Sequence, residues 1–294
     1  MRKGFLNKVA KMIPNEPDSV FMTVDIGMWA IRDVLRDYPE RCMNFGVCED
    51  AMMSIAAGMA SRGLVPTIFG IQPYLIERAF EQIKMDLAYQ KNGVNVVGTG
   101  AAIDYSKYGY SHYCAEDFAL IRQLPGVEFV APGTANEIEK LFEAGYRNGN
   151  STFYRISDHP NKNYDLDVTF GRANVIKSGG KATVIAVSIM LDIVMDVCKD
   201  LDVTVLYYTT LAPFDSETLL RECRNTKILV CEPHFSGSLD SDIISTFAGK
   251  SVCIDHVGLP REIYRNYGTY DEKMEYYNVN SKTIKIKLER LIGE

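Results

Sequence analysis

Residues 39–60 run Pro39-Glu-Arg-Cys-Met-Asn-Phe-Gly-Val-Cys-Glu-Asp-Ala-Met-Met-Ser-Ile-Ala-Ala-Gly-Met-Ala60, and Glu49 opens a stretch within them that is apolar and small-sided nearly all round. A helix with that composition is expected to be buried. The positive end of a helix favours an acid at its entrance, whereas apolar surroundings penalise the charge, which suits a carboxyl that shares a proton with a ligand. From these residues alone two readings of Glu49 stand: an acid that only caps the helix, and an acid that does chemistry.

Working outward, apolar runs of strand length alternate with helix-length segments. Before the segment lies a strand at Phe21–Asp25. After it come a strand at Val65–Phe69, a helix over 74–91, a strand at Val94–Gly98, a Tyr/Gly/Ser loop, a helix near 115–123 and a strand at Glu128–Ala131. The second half repeats the pattern with strands at Ala182–Ser188, Val203–Tyr208, Ile228–Glu232 and Ser251–Asp255, separated by helices over 190–200, 215–224 and 239–248 and followed by a terminal helix. Such alternation with short connections implies parallel sheets with right-handed crossovers. Asp158–Asp167, polar and proline-containing, is the linker candidate. The expected fold class is α/β, with two parallel-sheet domains over residues 1–160 and 176–294 joined by a linker over 161–175.

Composition narrows the function. The 294 residues are 47% apolar and 24% charged, ordinary globular proportions. With 32 basic against 38 acidic residues and no basic stripe, nucleic acid is not an expected partner. No apolar run reaches the roughly 20 residues of a membrane span, and the N-terminus lacks the apolar core of a signal peptide, so no membrane association and a cytoplasmic location are expected. The seven scattered cysteines suit reduced, mostly buried thiols. Phosphate-loop, dinucleotide-fingerprint and His-Glu-x-x-His motifs are absent. Cys231-x-x-His234 and Cys253-x-x-His256 raise a zinc reading. Residues three apart on a strand point to opposite faces, however, which favours buried cysteines with histidines at the strand rim and no metal ligands in this chain.

The 39–60 segment resembles the P-E-R…G-I-A-E-Q-x-M-x-x-I-A-A-G-L-A stretch of transketolases and deoxyxylulose-phosphate synthases, with Cys48 and Asp50 in place of its Ala and Gln. The resemblance continues through Pro66, Tyr74–Ile83, Gly109-Tyr-Ser-His112, Glu116-Asp117, Arg122–Pro132 and Asn136-Glu137. Past residue 160 it is carried by Pro213-Phe214-Asp215 and the Glu232–Leu239 loop. It implies a thiamine-diphosphate pyrimidine-binding fold followed by a transketolase C-terminal-like domain.

By that resemblance Glu49 is the acid that hydrogen-bonds the aminopyrimidine ring of thiamine diphosphate and activates it. Tyr74 stands where an aromatic stacks on that ring, its alternative being a core aromatic. Asp25 matches an acid near the thiazolium, its alternative being a turn cap. His112 matches a histidine that contacts substrate oxygens and assists proton transfer. Arg78 matches a substrate-facing arginine once one extra residue is allowed between the aligned stretches. Asp158 stands where the family places an arginine for the sugar phosphate, with Arg155 as a shifted substitute, so an unphosphorylated or differently phosphorylated sugar is expected.

The family's Gly-Asp-Gly…Asn motif, which holds Mg²⁺ on the diphosphate, does not occur here. The resemblance therefore implies a separate diphosphate-binding subunit that supplies the metal ligands, paired as an α2β2 heterotetramer. The expected activity is transfer of a two-carbon ketol unit from a ketose to an aldose in carbohydrate metabolism. The β subunit of a 2-oxoacid dehydrogenase and a non-catalytic regulatory subunit are the alternatives.

Overall fold

The computed structural model describes residues 1–164 and 166–293. Asp165, within the expected linker, lies outside the described residues. In chain order the strands are β1 (Ser19–Thr23), β2 (Cys42–Asn44), β3 (Val65–Ile71), β4 (Asn95–Thr99), β5 (Glu128–Val130), β6 (Thr152–Ile156), β7 (Asn174–Lys177), β8 (Thr183–Val187), β9 (Thr204–Tyr208), β10 (Thr210–Ala212), β11 (Lys227–Phe235) and β12 (Cys253–Leu259). They form a seven-stranded sheet of order β10-β5-β6-β4-β3-β1-β2 and a five-stranded sheet of order β12-β11-β8-β9-β7.

The chain is α/β, as its alternating pattern requires. Strands β1, β4, β6, β8 and β9 are buried along their whole length. Helices cover both faces of a parallel sheet, which is why these strands read as continuous apolar runs. Two edge strands depart from the all-parallel expectation. β7 pairs antiparallel with β9, and β10, from the second half of the chain, crosses to pair antiparallel with β5 in the first sheet, Thr210 opposite Val130. Strands of three or four residues with mixed exposure carry too little pattern to be read, and only the neighbouring edge gives them a partner.

Three helices matter for the site. The N-terminal helix α1 (Arg2–Asn15) carries no sequence expectation, yet Phe5, Leu6, Val9 and Ile13 form a buried stripe. Its Phe5 ring packs edge-on to Phe142, centroids 5.1 Å apart. The following helix α2 (Met28–Asp37) buries Ile31 and Val34. Helix α3 (Glu49–Ala60) corrects the expectation of burial all round: Glu49, Met52, Met53, Ala56 and Ala57 face inward, while Ala51, Ser54, Ile55 and Gly58 are exposed. Small and apolar residues on the outer face make the helix look fully internal, because composition does not distinguish a core from an uncovered apolar face.

Strand order positions everything that follows. β4, β3, β1 and β2 are consecutive neighbours. Asp25 follows β1, Glu49 follows β2, Tyr74 follows β3, and the loop carrying His112 follows β4. All four residues thus emerge beyond the carboxyl ends of adjacent parallel strands, where open α/β sheets form their binding crevices.

Candidate active site

Glu49 is the first residue of α3, and its side chain is 2% exposed. Arg78 Nη1 donates to Glu49 Oε2 at 2.5 Å, and the Arg78 guanidinium carbon sits 4.5 Å from the centre of the Tyr74 ring. The Tyr74 hydroxyl in turn lies 3.2 Å from His112 Nε2, with the two rings edge-on at 5.5 Å between centroids. The structure therefore joins four of the expected residues, drawn from three segments, in one unbroken series of contacts.

Local conformation explains the placement. Gly109, at φ +82°, turns the chain into the short helical turn Tyr110–His112, and Cys114 N–H donates to Ala102 C=O at 2.8 Å to close the loop. An added Cβ at Gly109 would approach the Tyr267 ring at 2.7 Å, so this turn requires glycine on two counts. Ser111 Oγ lies 3.0 Å from His112 Nδ1. Burial lowers the His112 pKa below its ordinary 6.5, so the imidazole is neutral at pH 7 and able both to accept and to donate a proton.

The expected helix over 74–91 forms in an altered way. Tyr74–Arg78 and Ile83–Tyr89 adopt the wide π-helical turn, flanking a short α turn at Phe80–Gln82. A π turn accommodates one residue more than an α turn in the same length. The wide turn thus lies in the stretch where the family resemblance requires an extra residue.

Asp25 stands apart from these four. It takes φ +54° after β1, and its backbone N–H donates to Asn44 Oδ1 at 2.9 Å while Asn44 Nδ2 donates to Asp25 Oδ1 at 2.6 Å. Asp tolerates the left-handed region better than most residues, and the reciprocal clasp with Asn44 holds it there. It faces the loop that leads into α3.

Arg155 is corrected. Its side chain is 1% exposed, and Nη1 pairs with Asp117 Oδ1 at 3.2 Å and with His234 Nδ1 at 2.9 Å. A guanidinium this buried and this engaged does not face substrate. Since it can only donate, His234 Nδ1 is the acceptor and Nε2 carries the proton, facing Glu232 Oε2 at 3.0 Å. Gln72 Nε2 completes the cluster by donating to Asp117 Oδ2 at 3.1 Å. Desolvation pushes Glu232 up to about 8 and Asp117 above its usual range, while burial and the Arg155 charge push His234 well below 6.5. The strand rim is the expected place of His234 and His256; both lie instead inside longer strands, β11 and β12, and His256 Nε2 contacts Asp240 Oδ1 at 2.6 Å. Gln72 escapes the sequence reading, although Gly98 signals it: a Cβ there would fall 1.5 Å from Gln72 Oε1.

A cavity of about 590 Å³ opens on the far side of His112, lined also by Tyr105, Tyr108, Asp104, Asp158 and Tyr270. Asp104 accepts from Ser157 Oγ and from the Asp158 N–H, both at 2.9 Å, and desolvation raises its carboxyl to about 7. His159 stacks on Tyr270 at 3.7 Å. Among the described residues, no group of three His, Cys, Asp or Glu side chains could hold a metal ion, and no helix is long and apolar enough to cross a membrane.

Comparison with known proteins agrees with this geometry. The transketolase pyrimidine-binding domain matches residues 1–157. A 33.6 kDa protein in the fasciation locus of Rhodococcoides fascians is 27% identical over 100% of this chain and 95% of its own length. One of the two subunits of the apulose-4-phosphate transketolase of Phocaeicola vulgatus is 25% identical over 91% of this chain and 92% of its own. Among solved structures, a split-gene transketolase, described as an inactive beta4 tetramer, superposes with a TM-score of 0.88 over 99% of this chain and 98% of that one, at 22% identity. Transketolase from Campylobacter jejuni gives 0.83, with 98% of this chain covering 46% of the longer one. With the family's domain spanning more than half of its length, this chain belongs to the transketolase pyrimidine-binding family.

Proposed function

We propose that this chain is the pyrimidine-binding subunit of a two-subunit, thiamine-diphosphate-dependent transketolase, moving a two-carbon ketol unit from a ketose to an aldose. Family membership, and relatives of matching length named as transketolase subunits, support the reading. The observation that carries it is Glu49, a buried carboxyl at a helix entrance with an aromatic ring and a neutral histidine in sequence beside it. A water-poor carboxyl next to an aromatic face fits the pyrimidine end of the cofactor.

When bound, thiamine diphosphate supplies the nucleophilic carbon that attacks the ketose carbonyl. Glu49 then holds the proton shared with the pyrimidine ring nitrogen, and Tyr74 supports the flat face of that ring. Asp25 sets charge at the thiazolium end. His112, neutral at pH 7 and bordering the cavity, binds the substrate oxygens and moves a proton to or from them. Arg78 serves substrate from beside Tyr74.

The diphosphate and its Mg²⁺ are assigned to a partner subunit carrying the Gly-Asp-Gly…Asn motif, in an α2β2 assembly. Support comes from the uncovered face of α3, where Ala51, Ile55 and Gly58 are exposed, and from Val47 just ahead of Glu49. Asp158 and Asp104, placed together at the cavity, support a sugar whose distal end is not a phosphate. Residues 1–160 form the pyrimidine-binding domain, 161–175 the linker and 176–294 the C-terminal domain. The seven free cysteines, five of them buried, support a reducing cytoplasmic setting.

The test is Glu49→Gln in the reconstituted pair. Ketol transfer is expected to fall at least about 100-fold with the unfolding midpoint unchanged. Activity that survives the change overturns the catalytic reading in favour of a regulatory subunit.

A further inference from the structure

Arg78 makes two contacts at once. Its Nη1 donates to the Glu49 carboxylate at 2.5 Å, and its guanidinium lies 4.5 Å over the Tyr74 ring. A hydrogen bond to this acid and a stack on this aromatic are the two contacts assigned above to the aminopyrimidine ring. A guanidinium is planar, donates hydrogen bonds in its plane and stacks on π faces, so it imitates such a ring closely. The two groups cannot occupy the same place.

Resting on the cofactor reading above, we propose that Arg78 fills the pyrimidine seat of the free subunit and is displaced from it by the cofactor, swinging to the His112 side of Tyr74 to meet substrate. While Arg78 holds Glu49, the carboxylate faces a group that only donates, and no proton is shared with a ring nitrogen. Displacement frees the acid and delivers a cation to the substrate side in one movement. Cofactor therefore binds before substrate.

Two features make the movement feasible. The Arg78 side chain is 41% exposed against 2% for Glu49, so it can leave without disturbing the core. The residues that carry it, Tyr74–Arg78, form the wide π turn, and the backbone departs from helical values at Ala79, with φ −98° and ψ 17°. Such turns are single insertions that frequently sit at functional sites. The ion pair is partly solvated, so its hold on the seat is modest and a ligand can compete with it.

The experiment titrates the full chain with thiamine, which lacks the diphosphate and so reports on the pyrimidine seat, using calorimetry. Arg78→Met and Arg78→Gln are expected to bind thiamine about tenfold more tightly than wild type. In the reconstituted pair, Arg78→Met should raise the substrate KM while lowering the cofactor concentration needed for half-activation. Equal or weaker thiamine binding by both variants, or binding undetectable in every protein, overturns the proposal. Glu49→Ala separates the two readings. If it abolishes thiamine binding while the Arg78 variants fail to strengthen it, the displacement alone is wrong; if it leaves binding intact, the pyrimidine seat is wrong.

Discussion

Arg155 and His234 tie the two sheets together: Arg155 projects from β6 of the first sheet, His234 from β11 of the second, and their nitrogens meet at 2.9 Å in a fully buried position. Gln72 and Asp117 extend the tie toward Tyr74, two residues after Gln72 in the chain. The junction between the sheets is thus polar at its centre, and the site at the carboxyl ends of β1 and β3 is built against it.

Removing the cation from this cluster leaves Asp117 buried and unpaired. Arg155→Met is expected to lower the unfolding free energy by about 3–5 kcal/mol, the cost of breaking a buried pair from one side. Denaturant unfolding measures it. A residue that merely bound substrate would instead raise KM and leave the unfolding midpoint in place.

Glu232 and His234 give the fold a pH dependence with a defined sign. Glu232 has a folded value of about 8 against an ordinary 4.5, so the native state binds its proton more tightly and stability falls as pH rises between those values. His234 is lowered well below 6.5, so the native state resists its proton and stability rises with pH up to 6.5. Below 6.5 the two slopes oppose each other. Between pH 6.5 and 8 Glu232 alone remains of the pair, at up to about 1.4 kcal/mol per pH unit. Unfolding of wild type and Glu232→Gln across that window should show the decline only in wild type.

His112 governs the acid limb of activity. Its pKa is lowered by desolvation, so the neutral form persists down to a pH below 6.5 before protonation removes the acceptor. The pH profile of kcat/KM in the reconstituted pair should carry a limb below 6.5 that disappears in His112→Gln, with the rate itself reduced about 100-fold.

Gly98 and Gln72 are matched by shape. A methyl at residue 98 would overlap the Gln72 amide, at 1.5 Å from Oε1, and push it off Asp117. Gly98→Ala should destabilise by about 1–3 kcal/mol. The double variant Gly98→Ala, Gln72→Ala should recover part of that loss, since the overlap vanishes with the amide; a thermal-denaturation cycle over the four proteins reads the coupling.

The central strands are legible because burial on both faces writes a continuous apolar run, as in Thr183–Val187 and Thr204–Tyr208. Helix α1 escapes the sequence reading, although its apolar residues at 5, 6, 9 and 13 have helical spacing, because they are diluted among lysines and asparagines. The short strands β7 and β10 escape it because pairing, not composition, makes them strands. Among the site residues, Glu49, Tyr74, Arg78 and His112 come from an ordered series of local motifs, and the structure brings those four into contact.

The amino-acid order by itself determined the α/β class, the family and which side chains carry the chemistry, because strand periodicity and local motifs are written in consecutive residues. Only the tertiary structure decided that Arg155 is a buried tie to His234, that Arg78 lies on Glu49, and that one face of α3 is bare. Those are contacts between segments 29 to 79 residues apart, or their absence, and no local pattern records which distant side chain arrives at a given surface.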